Sequence, residues 1–268
     1  RIAATALQTL QPLAAAYELR LPGLNEAVQP LEHALNIVGE IWKSTCISIV
    51  KDEGYESERA MACFVTLHYL LLCLAEDLPG LRQHAAATVR QFLQFVEAEP
   101  TRNLKADVPD LGRFLVRFLL CEDDVPLRSQ LRTVIRELFN RNVRWVAQGQ
   151  RATASASEAE KEEQVLASFE QGHFGMKLTV FQSYYILRSG ELGLNTLAAH
   201  RSNGGRPSGE TLRIFQQDCS SIKDLGSYEE FFLWLKLDEL LDEDIHGMLC
   251  LAVEESEARG YNTLPPRF

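Results

Sequence analysis

Apolar residues recur at spacings of three and four along most of the chain, the period that lines one face of an α-helix. Leu31, Ala34, Leu35, Val38, Ile41, Trp42, Cys46 and Ile49 fall on one stripe, with Glu32, Glu40 and Lys43 off it. Pro30 suits the first turn of this helix, where a missing N–H costs nothing, and Gly54 ends it. The pattern predicts a second helix from Ser57 to Leu78, closed by Pro79-Gly80. A third runs through Leu81, Ala85, Val89, Phe92 and Phe95. Together with a helix ahead of Pro22, these read as consecutive antiparallel helices joined by short turns.

A polar stretch, Glu99 to Pro109, separates this unit from the next. Asp110 to Leu120 predicts a short helix, Glu122 to Pro126 a turn, and Ser129 to Val146 a longer helix. The apolar face of the longer helix holds Leu131, Val134, Ile135, Leu138, Phe139 and Val143. Gly149 to Ser157, rich in Ala and Ser, predicts a mobile linker. Glu158 to Arg188 predicts a helix broken or bent around Gly172 and Gly175, with a short strand over Thr179 to Ile186 as the lesser alternative. Residues 189–208 hold four glycines and read as a long loop. Helices at Gly209–Ile222, Tyr228–Leu241 and Asp244–Ala258 complete the pattern before an irregular tail.

The expected class is all-α: a multi-helix bundle, or an irregular α-solenoid with HEAT- or armadillo-like stacking of antiparallel helices. No fixed repeat period and no signature of those repeat families is present. The linker suggests an N-terminal unit over residues 1–150 and a C-terminal unit over 158–268, or one continuous domain. With 268 residues, 46% of them hydrophobic and 24% charged, the chain has the composition and length of a soluble protein with a real core. Its opening on Arg1, already in a helical pattern, suggests a piece of a larger intracellular protein.

A net charge of −10 disfavours nucleic acid as the main partner, because phosphate binding calls for a basic surface. The longest apolar run, Met61 to Ala75, is interrupted by Thr66 and His68 and falls short of the ~20 residues that cross a bilayer. It predicts a buried core helix, and no membrane partner is expected. The 6 cysteines form no CxxC pair and sit mostly in apolar helical stretches, as buried free thiols do. That pattern suits a reducing compartment, cytoplasm or nucleus.

Local chemistry motifs are near misses. Gly204-Gly205-Arg206-Pro207-Ser208-Gly209-Glu210-Thr211 has phosphate-loop spacing, but Glu210 puts a negative charge where the lysine belongs. Glu170–His173 and Glu243–His246 have the spacing used by di-iron bundles, yet no facing glutamates can be assigned to them. No Ser or Cys stands in a strained Gly-x-Ser-x-Gly turn, and His68, inside the most apolar helix, reads as a hydrogen-bonded core residue. No catalytic residue, cofactor or metal is therefore assigned.

Two charged regions stand out. Residues 101–151 carry ten Lys/Arg against six Asp/Glu, with Arg128, Arg132 and Arg136 on one helical ridge continued loosely by Arg141 and Arg144. Residues 224–258 hold eleven Asp/Glu and one lysine, interleaved with Phe231, Phe232, Trp234 and Leu235. Both regions read as solvated faces, as a clasp between the two units, or as docking surfaces. Phe231, Trp234, Leu235 and Leu241 can share an inward stripe, which leaves Phe232 and the acids outward. The candidate partner-binding residues are accordingly Arg128, Arg132, Arg136, Phe232, Trp234, Asp238, Asp242 and Asp244. They point to a non-catalytic helical scaffold or protein–protein interaction domain. The alternative is an all-helical enzyme or regulatory domain whose site is assembled only in three dimensions.

Overall fold

The computed structural model describes residues 29–51, 54–98, 104–105, 108, 110–121, 127–147, 158–234 and 245–261. Among them every regular element is helical and no strand occurs, so the fold is all-α. The helices are α1 (Gln29–Lys51), α2 (Glu58–Asp77), α3 (Leu81–Ala98), α4 (Leu111–Phe114), α5 (Leu127–Ala147), α6 (Glu158–Glu191), α7 (Leu197–Arg201), α8 (Gly209–Ser220), α9 (Tyr228–Trp234) and α10 (Ile245–Ala258). Short 3-10 turns at Gly54–Glu56, Leu115–Leu120 and Ser221–Asp224 continue or join them. The expected helix ahead of Pro22, the linker over 149–157 and the stretch 235–244 lie outside the described residues.

The first three helices form where the apolar stripes place them. Leu35, Val38, Trp42, Cys46 and Ile49 of α1 are buried. Ser57 caps α2 by accepting a hydrogen bond from the Ala60 N–H at 3.3 Å, which satisfies one of the orphan donors of the first turn. Pro79-Gly80 reverses the chain, with Gly80 at φ 89°. Asp110 caps α4 through the Arg113 N–H at 3.2 Å, and the helix then tightens into the 3-10 segment. All six residues of that segment are buried, Arg117 included. The Arg117 guanidinium is paired with Glu32, donates to the Asn36 side-chain Oδ1 at 3.3 Å and sits 5.1 Å above the Phe114 ring. Gly39 is required where α1 meets α4, because a Cβ there would stand 2.7 Å from the Arg113 carbonyl oxygen.

α6 is one helix of 34 residues and does not break at Gly172 and Gly175. Packing overrides the weak propensity of the two glycines: Met176, Val180, Phe181, Tyr185 and Ile186 are buried against other helices. The same packing removes the strand alternative over 179–186. Thr179, Gln182 and Ser183 are buried as well, so this stretch is enclosed almost all round and shows no amphipathic period to read. The expected long loop over 189–208 is also corrected. It holds the helix α7 and buries Leu194, Asn195 and His200.

The core is one continuous apolar cluster with contributions from both sides of residues 148–157. Its centre is aromatic: Phe64 lies 4.5 Å from Tyr185 and 5.3 Å from Phe181, and Tyr185 stacks on Phe215 at 5.0 Å. Each fully buried ring contributes roughly 2–3 kcal/mol by removing apolar area from water. This cluster fixes α6 against α1, α2 and α8.

Candidate functional site

α5 carries a single carboxylate, Glu137, among five arginines, and the fold builds a buried polar assembly around that residue. Glu137 is fully buried. The Arg141 Nε lies 2.9 Å from its Oε1, the Arg259 Nη1 lies 3.5 Å from its Oε2, and the Tyr261 hydroxyl donates to it. Arg141 also donates to the Val108 carbonyl, and the Lys105 ammonium donates to the Tyr261 carbonyl at 2.9 Å. Lys105 and Arg141 approach the Tyr261 ring at 5.1 and 5.5 Å, so cations border its π system. Burial, together with donation to Glu137, pushes the Tyr261 phenol up. Burial and the nearby Arg141 charge pull Lys105 down, with Glu137 opposing. The assembly ties α5 to the segment 104–108 and to the chain just after α10.

One residue before Glu137 along α5, Arg136 is paired with Glu255 of α10, and the amide of Asn140, one residue before Arg141, donates to the second oxygen of the same carboxylate. An arginine of the ridge thus meets an acid of the C-terminal segment, though not in the stretch 238–244. Asp238, Asp242 and Asp244 lie outside the described residues, as does the side chain of Arg128. Arg132 is half-buried. Arg136 is 56% exposed, so its pair with Glu255 should stabilise the fold by only ~0.2–1 kcal/mol. We expect Arg136→Glu and Glu255→Arg each to lower the urea midpoint slightly and the combined reversal to restore it. A double reversal no better than the sum of the two singles would dismiss the clasp.

The aromatic candidates are placed differently from the sequence expectation. Phe232 is buried rather than outward, 6.1 Å from Phe139 of α5 and 4.9 Å from Phe231. Trp234 is partly buried, edge-on to Tyr184 of α6 at 4.7 Å. A short helix lodged between two partners buries two of its sides, so no single inward stripe describes it. Leu233 is left outside, 56% exposed, as is Glu230 one turn earlier.

A second polar assembly joins α2, α6 and α7. His68 is fully buried, with its Nδ1 3.4 Å from the Tyr185 hydroxyl and its ring 5.5 Å from that of His200. Burial, reinforced by His200, pushes the His68 imidazole down to about 3, against a backbone contact at Leu119. Its Nε2 has no hydrogen-bond partner. His200 donates through Nε2 to the Leu194 carbonyl at 2.7 Å, and burial holds its pKa below the ordinary value. The Tyr69 ring lies 5.3 Å from that of His200. Gly205, at φ 80°, lets the 202–205 turn press on Tyr69; a Cβ there would stand 2.7 Å from the ring. Two neutral imidazoles with exposures of 0% and 2% are structural groups, since a general base must reach its substrate.

The near-miss motifs resolve locally. The residues ahead of Gly204 form helix α7 rather than a strand, and Ser208 caps α8 through the Thr211 N–H at 3.0 Å. His173 bonds the Leu225 carbonyl at 2.7 Å, while the Glu243–His246 pair lies outside what is described. Among the described residues no group of three or more His, Cys, Asp or Glu could hold a metal ion. The five described cysteines are free. Burial raises the thiols of Cys46 and Cys219 and brings Cys121 up to about 11, the reverse of an activated nucleophile.

Sequence reasoning missed Glu137, Glu255, Arg259, Tyr261 and Lys105. The i,i+4 pair Glu137–Arg141 and the isolation of one acid among the arginines of α5 were the available signal. Comparison with family models, curated proteins and solved structures yields no match to this chain.

Proposed function

We propose that this chain is a helical scaffold or protein–protein interaction domain, built as a multi-helix bundle around α6. Contacts of α6 with α1, α5, α9 and α10 support the bundle over an open solenoid. The carrying observation is the pose of α9. Phe231 and Phe232 anchor it at 1% and 2% exposure, and Leu233 is held out beside them at 56%. A large aliphatic side chain fixed on a rigid mount offers a partner apolar contact at low ordering cost. Phe174 on α6 and Leu251 on α10 are likewise exposed. The charged groups of α5 serve instead to hold the helices in place, so docking centres on apolar positions with a charged surround. A reducing intracellular compartment fits the free thiols, and the net acidity favours protein over nucleic acid. The enzyme alternative finds little support in an imidazole pair sealed from solvent.

Leu233→Asp should leave the unfolding free energy within about 0.5 kcal/mol, as surface changes do, while removing partner capture. A photo-crosslinking residue at Leu233 should give a discrete adduct that the same residue at the exposed Gln91 of α3 does not. Equal adducts from both positions, or none from Leu233, would sink the proposal.

A further inference from the structure

The outward line of α2 runs through Arg59, Cys63, Thr66, Leu70, Cys73 and Asp77, opposite the buried line of Met61, Val65, His68, Leu72 and Ala75. Leu70 is 40% exposed and Cys63 is exposed, yet the sixteen residues from Ala60 to Ala75 include no Asp, Glu, Lys or Arg. The polar atoms on this side are satisfied within the protein. The Thr66 hydroxyl donates to the Ala62 carbonyl at 2.7 Å, and the Tyr69 hydroxyl bonds Cys73 and Arg201. A helix that faces water ordinarily carries charged residues along its outer face, whereas this one confines them to its ends.

Those end charges are set against their own helix. The helix macrodipole favours acids at the N-terminus and cations at the C-terminus. Arg59 stands in the first turn of α2, and the last turn holds Glu76 and Asp77 with no cation. Glu58 and Glu76 lie to one side of the line, and Arg201 neutralises Glu76. Arg59 and Asp77 form no ion pair among the described residues. The line also reads the same from either end. About a midpoint at His68, Arg59 corresponds to Asp77, Cys63 to Cys73 and Thr66 to Leu70.

We propose that the outward line of α2 pairs with the same line of a second copy of this chain, antiparallel, about a two-fold axis at the level of His68. This register sets Arg59 of each copy beside Asp77 of the other, at the end where the unsatisfied carbonyls of the other helix favour a cation. Cys63 meets Cys73 and Thr66 meets Leu70, so the uncharged middle is covered. A contact of this kind is self-complementary and closes at two copies. One helical line about 27 Å long is small as interfaces go, so association is weak, with a dissociation constant on the order of 10–100 µM. This surface is independent of the Leu233 site on α9.

Sedimentation velocity of the full chain, from well below to well above that range, should show a monomer passing into a dimer. Leu70→Glu should stay monomeric throughout with an unchanged urea midpoint. Arg59→Asp and Asp77→Arg should each weaken association about tenfold and restore it when combined, which keeps the test decisive if Leu70→Glu fails to fold. A short bis-maleimide should join Cys63 of one copy to Cys73 of the other; within one molecule these thiols lie about 15 Å apart along the helix, beyond its reach. A monomer at every concentration overturns the proposal. So does a dimer that persists in Leu70→Glu, one linked Cys63 to Cys63, or one that the combined reversal fails to restore. Protection of Cys63 from alkylation that ignores chain concentration would mean that the chain covers this face itself. Protection that appears only with phosphatidylcholine vesicles would mean a lipid surface, and either result overturns the proposal equally.

Discussion

Glu137→Gln is expected to destabilise the protein by about 3–5 kcal/mol, the cost of removing one member of a buried ion pair. The substitution keeps the shape of the side chain and deletes its charge. Arg141 and Arg259, at 8% and 5% exposure, are then left as buried cations, and the acceptor of the Tyr261 hydroxyl is weakened. A natural domain is stable by only ~5–15 kcal/mol, so this one change consumes a large share of the total. Combining Glu137→Leu with Arg141→Met should cost clearly less than the sum of the two single changes, since groups in contact couple by about 0.5–3 kcal/mol. Urea unfolding of the four proteins measures this directly. A loss under about 1 kcal/mol for Glu137→Gln would show that the assembly does not hold α5 to the C-terminal segment.

Mild acid should weaken the fold through His68. The folded state holds this imidazole neutral down to about 3, whereas the unfolded chain protonates it near the ordinary value of 6.5. Between these two values the unfolded state binds the extra proton, so stability rises with pH. The contribution is complete above the unfolded pKa and is lost as pH falls, at up to about 1.4 kcal/mol per pH unit. His200, whose pKa is also lowered by burial, acts in the same direction. Lowering the pH from 6.5 to 4.5 should cost about 2 kcal/mol more in the natural protein than in His68→Leu. Glu32 and Asp110 have their carboxyls held below the usual range, where their cation partners outweigh burial, so their protonation falls largely beneath this window. Urea midpoints for the two proteins that run parallel from pH 6.5 to 4.5 would exclude a buried neutral imidazole at His68.

These expectations rest on tertiary contacts, yet much of the architecture was legible beforehand. Helices α1, α2, α3, α5 and α8 lie where one-sided apolar spacing places them, because each buries one face and exposes the other. The same period fails for α6, enclosed almost all round between 179 and 186, where burial on every side erases the contrast that periodicity needs. It fails again for α9, where Phe232 and Trp234 go to different neighbours and the apolar Leu233 is left outside.

The all-α class follows from local pattern alone: apolar spacing of three and four, and capping residues such as Ser57 and Asp110, act within a few residues of each other. Local physics of that range needs no partner to be read. The polar assemblies exist only once the helices have packed. Glu137 meets Tyr261 and His68 meets Tyr185 across separations of 124 and 117 residues. A buried charge or imidazole is defined by which distant groups surround it, and chain order does not record that. The arginine ridge was visible as a ridge, but whether its members faced solvent, a partner or the protein's own acids depended on the docking of α10, which brought Glu255 to Arg136.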